Sequence, residues 1–176
     1  DASQLEGLRA AGFTAAQVAP RAGIVRGTSA VVGLAGGVNA SVLQSDAAQV
    51  VALEPNRGQV YPGSLMGAIA VIRQAFLDAR WYADVQKSYA KAPLGKPRPE
   101  THESWEAMQP LVAGTQPALF VADEMLEVLR ASRIAKEAQV RAEIVGGGDE
   151  YKRVKEIALD GVPLVVPVNF PDPPDV

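Results

Sequence analysis

The stretch from Ala118 to Val168 constrains the fold more than any other part of the chain. Three mostly apolar runs, PALFVA, VRAEIV and VPLVVPV, alternate there with segments of helical periodicity. Continuous apolar runs suit strands covered on both faces. Strands separated by helices on short connections pair in parallel, through right-handed crossovers. The spacing predicts a helix over Glu103–Ala113, a strand over Ala118–Ala122 and a helix over Asp123–Ala138. A strand over Val140–Val145, a helix over Asp149–Leu159 and a strand over Pro163–Val168 follow. This half is α/β by pattern, and the tail Pro171–Val176 reads as extended.

Upstream, the strongest element is a long helix over Pro62–Tyr89. Leu65, Ile69, Ile72, Phe76, Ala79 and Ala83 recur at spacings of three and four, so they share one face. Pro62 suits the first turn, where its missing N–H costs nothing. Burying each large side chain of that stripe contributes roughly 1.5–3 kcal/mol. A short helix over Ala2–Ala11 is stopped by Gly12, and Phe13–Val18 reads as a strand ended before Pro20. Gly23–Leu34 is rich in β-branched residues and reads as a β-hairpin or two short strands, turning at Arg26-Gly27-Thr28. Val50–Leu53 reads as a further short strand or a continuation of the preceding one.

The segment KAPLGKPRPET, Lys91 to Thr101, holds three prolines and reads as an extended connector. Residues 1–176 are therefore expected to form a single α/β domain, in which the connector 91–101 separates subregions 1–90 and 102–176.

Composition narrows the chemistry. The 176 residues include one His and no Cys. Disulfides, thiolate nucleophiles, cysteine-based zinc sites and any site needing two imidazoles of this chain are excluded. A net charge of -3 argues against general nucleic-acid binding, which needs excess cations. No apolar run approaches the ~18–20 residues of a membrane span. The chain opens at Asp1 rather than Met, which fits a processed product or a stretch of a longer protein. A soluble protein, cytoplasmic or exported, is expected, the compartment staying open.

In a parallel sheet, ligands bind beyond the carboxyl ends of the strands. Three such rims are Ala122-Asp123-Glu124, Gly146-Gly147-Gly148-Asp149-Glu150 and Asn169-Phe170. Their carboxylates could hold a hard cation, yet Asp and Glu at helix starts serve as caps and oppose the macrodipole. The glycine run could cradle an anion, but it lacks G-x-G-x-x-G and P-loop spacing, and a tight strand-to-helix turn also explains it. Candidate ligand-binding residues are Gly146, Gly147, Gly148, Asp149 and Asn169. His102 is a possible general base without a matched nucleophile. Gly27-Thr28-Ser29 lacks the flanks of a nucleophile elbow. No catalytic residue is assigned.

Gly12-Phe13-Thr14, GIVRGTSAVVGL (Gly23–Leu34) and YPGSLMGAIAVIRQAFLDARWY (Tyr61–Tyr82) carry a further signal. With IVGGGDEY (Ile144–Tyr151) and GVPLVVPVNFP (Gly161–Pro171), this ordered set resembles the amidohydrolase superfamily. The likeness is to the imidazolonepropionase-like kind, particularly large bacterial amidohydrolase-related proteins. It implies a partial or modified (β/α)8-type barrel, of which this chain is an internal portion. It also implies metal-assisted cleavage of C–N bonds, in which zinc activates water and polarises the scissile carbonyl. The family's ligands are a His-x-His pair, a bridging carboxylate or carboxylated lysine, two later histidines and a final aspartate. By the resemblance, the later histidines belong near Val121 or Ala122 and near Gly148, where this chain has only aliphatic side chains or none.

The resemblance thus leads to a non-catalytic amidohydrolase-like structural or interaction module, without zinc or another cofactor. One alternative is a fragment of a metal-dependent hydrolase of amide or cyclic amide bonds, active only when completed by further sequence. A second is a module binding a small polar ligand. Expected partners are the remainder of a larger polypeptide or a second copy of the chain, with no nucleic acid and no membrane.

Overall fold

The computed structural model of the chain describes residues 2–35, 42–56 and 60–167. Helix α1 spans Ala2–Ala10, and β1 (Ala15–Val18), β2 (Val25–Gly33) and β3 (Val42–Ala52) follow. The long helix α2 (Leu65–Lys91) leads through the Pro-rich connector to α3 (Glu103–Ala107) and α4 (Gln109–Val112). Next come β4 (Ala118–Val121), α5 (Met125–Ala138) and β5 (Ala142–Val145). A 3₁₀ turn over Glu150–Arg153, α6 (Val154–Asp160) and β6 (Leu164–Val165) complete the order.

These strands form one six-stranded sheet among the described residues, in the order β1-β2-β3-β4-β5-β6. The first two pairings are antiparallel and the last three parallel. Each parallel strand lies beside its predecessor, and α2, α5 and α6 make the crossovers expected for the C-terminal half. Residue 49 of β3 pairs with residue 118 of β4, so the sheet runs unbroken from one side of the connector to the other.

The helices and one sheet face share a core. Val51, Phe120 and Ile144 stand in one cross-strand row and pack against Ile72 and Phe76 of α2, Leu111 of α4 and Val128 and Ile134 of α5. Phe76 meets Phe120 edge to face at 6.4 Å, the arrangement that the ring quadrupoles favour. The opposite face carries a smaller cluster built from strand residues alone, Ala48, Val50 and Leu119 with Val121 and Val145 beside them.

Several elements depart from the sequence expectation. Gly23–Leu34 holds no hairpin: it supplies one strand, β2, interrupted by register shifts, the first between Val25 and Gly27. Arg26 is the extra residue there, and Gly27 takes φ +87°, which only glycine adopts without strain. The strand expected at Val50–Leu53 is the buried end of an eleven-residue strand whose first five residues are exposed. That outer half lacks apolar alternation and is held by pairing with β2.

Helix α2 starts at Leu65, with Pro62 outside it, because Ser64 is the N-cap and accepts a 3.2 Å hydrogen bond from the Gly67 N–H. The helix expected over Glu103–Ala113 breaks at Met108, since Pro110 has no N–H to continue it. The 3₁₀ turn likewise replaces the first turn of the helix expected from Asp149. Pro163 and Pro167 flank β6, which is reduced to two residues. The tail Pro171–Val176 lies outside the described residues. No helix among those described is long and apolar enough to cross a membrane.

Candidate functional site

The carboxyl ends of β3, β4, β5 and β6 lie along one rim, where Ala52, Val121, Val145 and Val165 align in adjacent strands. The ladder runs slightly beyond the strands: Leu53 N–H donates to Val121 O at 3.2 Å, and Ala122 N–H to Val145 O at 3.0 Å. Ala122 is buried and Val121 half-buried. Asp123 and Glu124 follow, both exposed. Glu127 reaches back from the first turn of α5 and accepts from the Asp123 N–H at 3.0 Å, so its carboxylate ties the turn after β4 to the start of the helix.

The glycine turn after β5 is filled by its own neighbours. The Glu150 side chain is buried and folds back over Gly146, occupying the space that a Cβ there would need. Its Oε1 accepts from the Gly148 N–H at 3.1 Å. Gly147 lies against the Asp123 backbone carbonyl, so closely that a Cβ would collide with it. Gly148 has φ +107°. The three glycines therefore let two rim turns touch. Asp149 pairs with Lys152 at 2.6 Å, and that hydrogen bond raises the Lys152 pKa above the ordinary lysine value. Asn169 lies outside the described residues.

His102 stands apart from the rim turns. It is the N-cap of α3, and its ring stacks on Trp105 at 3.9 Å. Trp105 also meets Trp81 and Tyr82 of α2 at 6.0 and 5.9 Å. The imidazole thus belongs to an aromatic cluster between the connector and the helix layer.

Sequence reasoning missed Arg26. Because β2 runs antiparallel to β3, the start of β2 reaches the same rim as the end of β3. The Arg26 side chain is 6% exposed, donates from Nε to Gly23 O at 2.8 Å and pairs with Glu54 at 3.0 Å. The available signal was an arginine inside an apolar, β-branched run; assigning it to a turn hid it.

A zinc ion of the kind that the resemblance implies does not fit the donors present. Val121, Ala122 and Gly148 offer no side-chain nitrogen or oxygen. Among the described residues, no three His, Asp or Glu side chains gather closely enough to hold a metal.

No protein-family model matches the chain, and no curated protein matches it. A solved structure does: an amidohydrolase from Thermotoga maritima MSB8, at a TM-score of 0.77 and 27% sequence identity. The match covers 89% of this chain and 43% of that one, so the chain spans less than half the length of its structural neighbour. The six-stranded curled sheet with its helices is an amidohydrolase-like α/β fold.

Proposed function

We propose that this chain is part of a (β/α)8-type amidohydrolase-like barrel, of bacterial origin, and acts there as a structural or interaction module. On this reading it is not the seat of zinc hydrolysis. The observation that supports it is the chemistry of the rim. The positions where imidazoles would be sought hold Val121, Ala122 and Gly148, and the Gly148 N–H is already engaged by Glu150. Fold kinship alone does not grant activity. The partner is the remainder of a longer polypeptide or a second copy, either of which would meet the sheet at its two edge strands.

A second reading has its own support: the structural neighbour is an amidohydrolase of which this chain matches 43%. Here the chain is one portion of a metal-dependent hydrolase, and every metal ligand comes from elsewhere in the polypeptide. Elemental analysis after zinc loading and dialysis tests the first reading. The expected result is no stoichiometric zinc on the 176-residue chain. One zinc per chain that survives dialysis would overturn it.

A further inference from the structure

On the outer side of the helix layer, α2 and α5 enclose a half-open groove of about 170 Å³. Its walls are mainly apolar, from Phe76, Leu77 and Ile134. An engineered cavity of roughly 150 Å³ suffices to hold benzene, so the space suits one aromatic ring. Its charge is unbalanced. Arg73 and Arg80 both line the groove, against the single carboxylate of Glu137. That carboxylate is taken twice, by Arg73 at 2.8 Å and by Arg133 at 3.1 Å.

Arg80 has no carboxylate within 4 Å among the described residues. It is half-buried, and its one hydrogen bond there, from Nη2, goes to the Ala138 carbonyl at the end of α5. Capping a helix C-terminus uses part of a guanidinium, which carries five N–H donors. The rest of this cation lines a mainly apolar recess whose single carboxylate, Glu137, is held by the two other arginines.

We propose that this groove binds a small organic carboxylate whose ring or branched alkyl group rests on Phe76, Leu77 and Ile134 while its carboxylate is received by Arg80. An apolar pocket with few convergent polar groups is the usual form of a small-molecule site. A guanidinium is the side chain best matched to a carboxylate's two oxygens. The site lies on the helix layer rather than the rim, so it stands whether or not the chain has a catalytic partner.

The test is a titration of the whole isotope-labelled chain with benzoate, followed through backbone amide shifts, with benzyl alcohol as the neutral counterpart. Benzoate should give saturable shifts around Leu77, Arg80 and Ala138, with Kd on the order of 1 mM. Benzyl alcohol should give none that saturate. The variant Arg80→Gln removes the guanidinium while keeping a polar side chain, and it should weaken benzoate at least about tenfold. Three results would overturn the proposal: benzoate shifts that do not saturate or map elsewhere, an equal response to benzyl alcohol, or unchanged affinity in folded Arg80→Gln. The comparison of the two ligands on the unaltered chain stands even if the variant fails to fold.

Discussion

At the scale of single residues, the rim is governed by close approach. Gly147 lies on the Asp123 backbone, which cannot move without pulling β4 away from β5, whereas the obstacle at Gly146 is the flexible end of Glu150. Gly147→Ala should therefore destabilise the fold by about 1–3 kcal/mol, as overpacking does, and Gly146→Ala by less. Urea denaturation of the two variants checks the order; equal effects would contradict the assigned contact. Charge acts differently. The hydrogen bond from Lys136, at 2.5 Å, holds the Asp160 carboxyl below its usual pKa, and Arg73 does the same for Glu137. A depressed folded-state pKa adds stability above the unfolded value, and that stability is lost as pH falls through the folded one. Asp160→Asn should flatten the acid side of a stability–pH curve and leave the slope near neutrality unchanged.

At the scale of elements, side-chain period decides what is legible. The stripe on α2 repeats for about five turns, and the structure buries Ile72, Phe76 and Ala79 from it. Adjacent positions supply a test. Phe76→Ala removes a core ring set against Phe120 and should cost about 3–5 kcal/mol, while Leu77→Ala, at 61% exposure, should stay within about 0.5 kcal/mol. Thermal or urea unfolding reads both. The parallel strand β4 was equally visible, because burial on both faces makes it uniformly apolar. β2 was visible only as a hairpin or two short strands, because the bulge at Arg26-Gly27 reads locally as a turn, and β3 only at its buried end, since its first five residues are exposed. The site was legible only as far as strand ends and glycines could be placed. Reading the GGG turn locally could not show that Glu150, two residues on, turns back to take the Gly148 N–H. Nor could it show that Gly147 abuts a turn twenty-four residues earlier, because that contact arises from the pairing of β4 with β5.

At the scale of the whole molecule, the helices cover one sheet face, and the other presents strand residues to one another. Ala48, Val50 and Leu119 are buried there through the curl of the sheet, but the row ends at Val165, which is 52% exposed. Among the described residues, β1 and β6 each have one unpaired edge. Open edges beside an apolar face are templates for further pairing. In solution on its own, the isolated chain has only a second copy to meet that need, so its mean mass should rise with concentration in analytical ultracentrifugation. Val165→Lys places a charge at the outer end of the row and on the edge strand, where natural proteins use lysine to block association. It should reduce the concentration dependence while leaving the unfolding midpoint at low concentration unchanged, because the native side chain is half in water. A chain that remains monomeric at every concentration would show that this face and its edges satisfy themselves, and would remove the second copy from the partners proposed above.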